Sequence, residues 1–122
     1  MGHHIHLIVS QSSDISKTIQ NFKKFTAKEI ISFYKSTNKN DILELFKLLK
    51  KSYKKKSTYQ IWQEGSHPKL ISSIRMLQQK INYVHFNPVK RGFVKEPEDW
   101  YYSSARNFER KSNPLKVDEL EF

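Results

Sequence analysis

The chain has 122 residues, 37% of them hydrophobic, with 22 lysines and arginines against 12 acids, a net charge of +10 and no cysteine. Such a chain is long enough for one globular domain with a modest core. The missing cysteines exclude disulfides and thiolate metal sites, the apolar runs are far too short to span a membrane, and no signal-peptide pattern is visible. A cytoplasmic location is the default, with no membrane partner. An excess of positive charge this large attracts polyanions, and nucleic acid is the commonest partner of such a surface; a generally basic, soluble composition is the plain alternative.

In chain order, His4 to Val9 reads as a short, β-branched strand. A polar turn follows at Ser10 to Ser13. From Asp14 to about Tyr34, Ile15, Ile19, Phe22, Thr26, Ile30 and Phe33 recur every three or four positions. That spacing predicts an amphipathic helix with Ser13 or Asp14 as its cap. Asp41 can cap a second helix with Ile42, Leu45, Phe46 and Leu49 on one face, running into the basic stretch KKSYKKKS. TYQIWQE reads as a second strand and GSHP as a turn. A third helix is expected from about Leu70 to Phe86, ended by Asn87-Pro88, because a proline disfavours helical geometry in the residue before it. After Gly92 come PEDW, YYSSA and, from about Arg110, a polar tail.

Side chains alternate along a strand, so His4 and His6 share one face while Ile5, Leu7 and Val9 point the other way, into a core. Two neutral imidazoles on a rigid strand can grip one divalent cation and leave positions open for substrate. The competing explanation is a tag remnant, since MGHH resembles an engineered start; His3 is the most incidental of the three. Tyr83 and Asn87, four apart, stack on one helix face. A phenol can act as a covalent nucleophile and an amide oxygen as a hard-metal ligand. Tyr34 and Asn38 have the same spacing, and Tyr83 could equally be a packed helix tyrosine with a wet hydroxyl.

The segments HHIHLIV, NFKKFTAKEI, IWQEGSHPKLI, YVHFNPVKRGFV and PEDWYYSSA, in that order, resemble the REP-associated tyrosine transposases of the HUH single-tyrosine transposase superfamily. The resemblance spans roughly residues 1 to 108. It implies an α+β fold, a ferredoxin-like or RRM-like α/β sandwich with an antiparallel sheet, here without the family's N-terminal strand and helix. Residues 1–109 would form the N-terminally truncated transposase domain and 110–122 a polar tail. A homodimer could complete the sheet. In the family, Pro-Asn precedes the histidine pair; here Gly2-His3 stands there.

The resemblance further implies Tyr83 as nucleophile, and His4, His6 and Asn87 as ligands of Mg²⁺ or Mn²⁺. The enzyme would cut and rejoin single-stranded DNA next to hairpins through a 5′-phosphotyrosine link. Lys23, Lys24 and Lys28, then Lys54 and Lys55 within the run from Lys50 to Lys56, and Lys90 with Arg91, are candidate phosphate contacts; solvated helix faces are the ordinary alternative. Trp62, Tyr59 or Trp100 could stack on a base, with core packing the simpler role for Trp62. His85 is expected to pack or touch DNA, and His67 has no assigned role. A non-catalytic DNA-binding relic or repressor is the second reading. A histidine-based phosphoesterase is disfavoured, because position 8 is Ile and no second HxH occurs.

Overall fold

The computed structural model describes residues 4–10 and 13–120, and His3 therefore lies outside the described residues. Four α-helices and one 3₁₀ turn are found among these residues, and no strand. The expected antiparallel sandwich is thus absent. The chain divides into two compact units: residues 10–67, and residues 68–122 together with residues 1–9. No helix is long and apolar enough to cross a membrane.

In the first unit, α1 is Ile15–Ser36 and α2 is Asn40–Leu48. The Asp14 carboxylate accepts from the Lys17 N–H at 3.1 Å and caps α1. Asp41 lies inside the first turn of α2, and Lys39 occupies the cap; its carboxylate still faces the positive end of the helix dipole. α2 contributes Leu43, the buried apolar side chain of this unit, and Tyr34 packs on Phe46 at 6.0 Å.

The segment TYQIWQE is a loop rather than a strand, because its polar groups find local partners instead of a neighbouring strand. The Gln60 N–H donates to the Phe46 carbonyl at 3.3 Å. The Gln60 side chain accepts from the Lys51 N–H at 2.9 Å and donates to the Trp62 carbonyl at 3.1 Å. The Trp62 indole donates to Thr26 Oγ1 at 3.0 Å and leans on Phe22, so this tryptophan packs on α1.

The second unit is built around α3, Ile74–Lys90, capped by Ser73, whose hydroxyl accepts from the Met76 N–H at 3.1 Å. Pro88 does not end this helix; it sits in the last turn, fully buried. The stop is Gly92, at φ +75. Its N–H donates to the Val89 carbonyl at 2.9 Å, and the Phe93 N–H reaches back to the Pro88 carbonyl at 3.0 Å. Those two bonds form a Schellman closure. A proline deep in a helix costs about 3 kcal/mol; here the distortion is confined to one turn, and the ring is packed away from water.

A 3₁₀ turn, Pro97–Asp99, and the short helix α4, Ala105–Phe108, pack beside α3. Ile81, Pro97 and Ala105 are buried there. His85 is buried as well: its Nε2 shares a 2.8 Å hydrogen bond with Ser104 Oγ, and its ring meets Phe108 edge-on. Trp100 packs against Phe93 at 5.7 Å. The tail is tied back where Asn113 donates to the Ser103 carbonyl at 2.8 Å and Lys111 pairs with Glu98 at 3.3 Å.

Residues 4–9 belong to this unit but run without a ladder. Ile5, 55% exposed, and its alternates Leu7 and Val9 stay largely in solvent instead of filling a core. A strand satisfies its backbone only by pairing with another strand, and none of the described residues provides one.

Two outcomes follow for stability. Space around Gly92 is open, so Gly92→Ala should lose only the left-handed backbone preference, about 1 kcal/mol, read as a lower chemical-denaturation midpoint. Burial lowers the His85 pKa, so the folded state binds its proton less readily than the unfolded one. The stability this confers is complete above the unfolded value near 6.5 and is lost as pH falls through it toward the folded value. Thermal unfolding should occur at lower temperature at about pH 5 than at about pH 7.5, and the difference should shrink in His85→Gln.

Candidate functional site

α3 decides which side chains can meet. Because it continues through Pro88, Tyr83, Asn87 and Arg91 fall at intervals of four along one side of the helix and its C-cap. The extended segment at residues 4–9 supplies His4 and His6. These five residues line one recess of about 230 Å³.

Tyr83 is half exposed. Its ring stands edge-on to the His6 imidazole, with centroids 5.9 Å apart and planes at 86°. That edge-to-face contact favours this placement of the two rings, and the tyrosine remains half exposed. Burial lowers the His6 pKa, and nearby positive charge, including that of His4 and Arg91, acts in the same direction. A neutral imidazole, with a lone pair free for coordination, is therefore favoured.

Asn87 is only 7% exposed. Its Oδ1 is buried and has no hydrogen-bond partner among the described residues. Leaving a buried acceptor unmatched costs about 1–3 kcal/mol. An unpartnered carboxamide oxygen is a donor that hard divalent cations such as Mg²⁺ and Mn²⁺ accept, and imidazole nitrogens in the same lining would favour Mn²⁺ of the two. No group of three or more His, Cys, Asp or Glu residues able to hold a metal occurs among the described residues.

The other residues singled out from the sequence fall elsewhere. Lys90 is exposed at the end of α3. Lys24 and Lys28 are exposed one turn apart on α1. Lys23 donates to Ser66 Oγ at 3.0 Å, and Lys54 pairs with Glu64 at 3.1 Å, an acid that also accepts from Tyr53. Lys55 is exposed. Tyr59 is half-buried with Lys35 over its ring. Tyr34 and Asn38 do not repeat the Tyr83 and Asn87 geometry: Asn38 sits past the end of α1 in the left-handed conformation, at φ 53. His67 is exposed in the loop after Trp62.

One stretch of 44 residues is 41% identical to a Haemophilus influenzae protein that carries the provisional name REP-associated tyrosine transposase. The stretch is 36% of this chain, and it covers about a quarter (25%) of that protein's length. No family model and no solved structure matches the chain.

Asn87 separates stability from binding in a measurable way. Asn87→Leu replaces an unmatched buried amide with an apolar group of similar volume. Its melting temperature should equal or exceed that of the wild type, whereas Mn²⁺ binding by calorimetry should weaken at least about tenfold, as loss of a ligand-shell group does.

Proposed function

We propose that this chain carries the nicking site of a REP-associated type of tyrosine transposase, which cuts and rejoins single-stranded DNA beside hairpins. The observation that carries the reading is the recess itself: an HxH pair, a tyrosine and an orphaned asparagine from distant parts of the sequence line one cavity. The 44-residue similarity supports the same class.

His4, His6 and Asn87 would hold Mg²⁺ or Mn²⁺, which when bound supplies Lewis-acid polarisation of the scissile phosphate. Tyr83 presents its phenol at the edge of the recess, steadied by the His6 ring. Its oxygen attacks phosphorus in line as its proton passes to water. The bond from phosphorus to the 3′ oxygen breaks, and that oxygen takes up a proton. The 5′ phosphate is left on Tyr83 and the other end is a free 3′-hydroxyl. The phosphotyrosyl ester keeps the energy of the original linkage, so a second 3′-hydroxyl can displace the phenol and join strands. Lys24, Lys28, Lys55 and Lys90 offer exposed ammonium groups to the DNA backbone, a contribution to affinity that falls with salt. Lys23 and Lys54 already have partners in the fold and would have to exchange them.

The test is incubation of the chain with hairpin-bearing single-stranded DNA and Mn²⁺, followed by a denaturing gel. A covalent protein–DNA adduct is expected, absent from Tyr83→Phe, whose affinity for the same DNA stays within about twofold because only a hydroxyl is removed. An adduct that survives in Tyr83→Phe removes the nucleophile assignment. DNA binding with no adduct in the wild type favours the non-catalytic DNA-binding protein.

A further inference from the structure

Among the described residues, no acidic side chain lines the recess; its lining is His4, His6, Tyr83, Asn87 and Arg91. A dication entering it finds imidazole, phenol and carboxamide groups, and the permanent charge among the lining residues, on Arg91, is positive. The two ion pairs among the described residues are Lys54 with Glu64 and Lys111 with Glu98; neither involves Arg91. The Arg91 backbone is held in register with Tyr83 and Asn87, because its N–H donates to the Asn87 carbonyl at 3.2 Å and the Gly92 closure follows at once. The guanidinium sits at the C-terminal end of α3, where the helix dipole favours a cation.

Resting on the reading of the recess as a nicking site, we propose that Arg91 makes divalent-cation binding and DNA-phosphate binding mutually dependent. It opposes a cation that arrives alone, and it holds the phosphate whose oxygens then complete the cation's shell. A guanidinium takes two phosphate oxygens in its fork, and the anion so held supplies negative charge that none of the described lining residues supplies. Coupling of this kind is reciprocal: whatever factor DNA adds to cation affinity, the cation adds to DNA affinity. The recess is thereby kept largely metal-free until a strand is seated.

The test uses the full chain and two probes, Mn²⁺ followed by calorimetry and a short fluorescent single-stranded oligonucleotide followed by anisotropy. The oligonucleotide arm is run in a Tyr83→Phe background so that no strand is cut. The unsubstituted recess should bind Mn²⁺ weakly alone, and Mn²⁺ in place of chelator should tighten oligonucleotide binding about tenfold or more, within the usual range of coupling between sites. Arg91→Gln should bind Mn²⁺ alone roughly fivefold tighter, the repulsion of a unit charge having been removed. The same substitution should cut the Mn²⁺-dependent gain in oligonucleotide affinity to below about threefold, because the fork is gone.

The two effects have opposite signs, whereas a damaged fold would weaken both. Unchanged or weaker Mn²⁺ binding by Arg91→Gln, or an undiminished gain, overturns the coupling. His6→Ala and Asn87→Leu distinguish the two levels of the argument. If both bind Mn²⁺ as the wild type does, the cation is not held in the recess, and the nicking-site reading falls together with the coupling. If both lose Mn²⁺ while Arg91→Gln fails to gain it, the coupling alone falls.

Discussion

The last turn of α3 is the constraint on which the second unit depends. A helix that ended at Asn87 would leave the backbone of residues 88–91 irregular, and nothing would hold Arg91 in register with Tyr83. Instead the chain stays helical through Pro88 and is closed by the paired bonds of Gly92 and Phe93. Burial of the proline ring offsets the loss of one helical hydrogen bond. The result is a rigid column on which a phenol, a carboxamide and a guanidinium occupy successive turns. Groups that must converge on one substrate atom need this kind of support from a regular element.

The recess combines an unsatisfied acceptor with the positive charge of Arg91. Asn87 Oδ1 is kept from water and from protein donors, a state that persists only where the surrounding fold enforces it. Arg91 adds positive charge without a carboxylate beside it in the recess. A cation alone would relieve the first and aggravate the second; an anion alone would do the reverse. A phosphodiester bridged to a dication would answer both, which is why the proposed nicking reaction is compatible with this lining.

The helices were legible in the sequence because they carry their own signals. Asp14 is a side-chain cap, and the three- and four-residue spacing of Ile15, Ile19, Phe22, Thr26 and Ile30 needs no tertiary partner to be read. The Ser73 cap is missed by the sequence reading, which starts the third helix at about Leu70 rather than Ile74. The strands were misread for the complementary reason. HIHLIV and TYQIWQE have β-branched and aromatic composition, but a strand exists only when another strand accepts its hydrogen bonds, and composition does not reveal whether that neighbour is there. In TYQIWQE the deciding residue is Gln60, whose amide braces the loop against residues 51 and 62. His4 and His6 nevertheless line the same recess, from a segment that is in no sheet. Arg91 was legible as a basic residue but not as a lining residue. Its register with Tyr83 is visible only if Gly92, four residues beyond Pro88, is taken as the stop in place of the proline.

Around α3, folding and chemistry are assigned to different sides. His85 meets Ser104 and Phe108, and the buried Ile81 lies on the same side of α3, which packs against the 3₁₀ turn. Tyr83 and Arg91 lie on the side away from that packing and are exposed. Substituting them removes little buried surface, so the change falls on the recess rather than on the core. Asn87 is the residue where the two demands meet. It is as buried as the core side chains yet contributes an oxygen that the core does not use. An apolar residue of the same volume would leave no acceptor unmatched there, so the packing around Asn87 gives no reason for the amide oxygen.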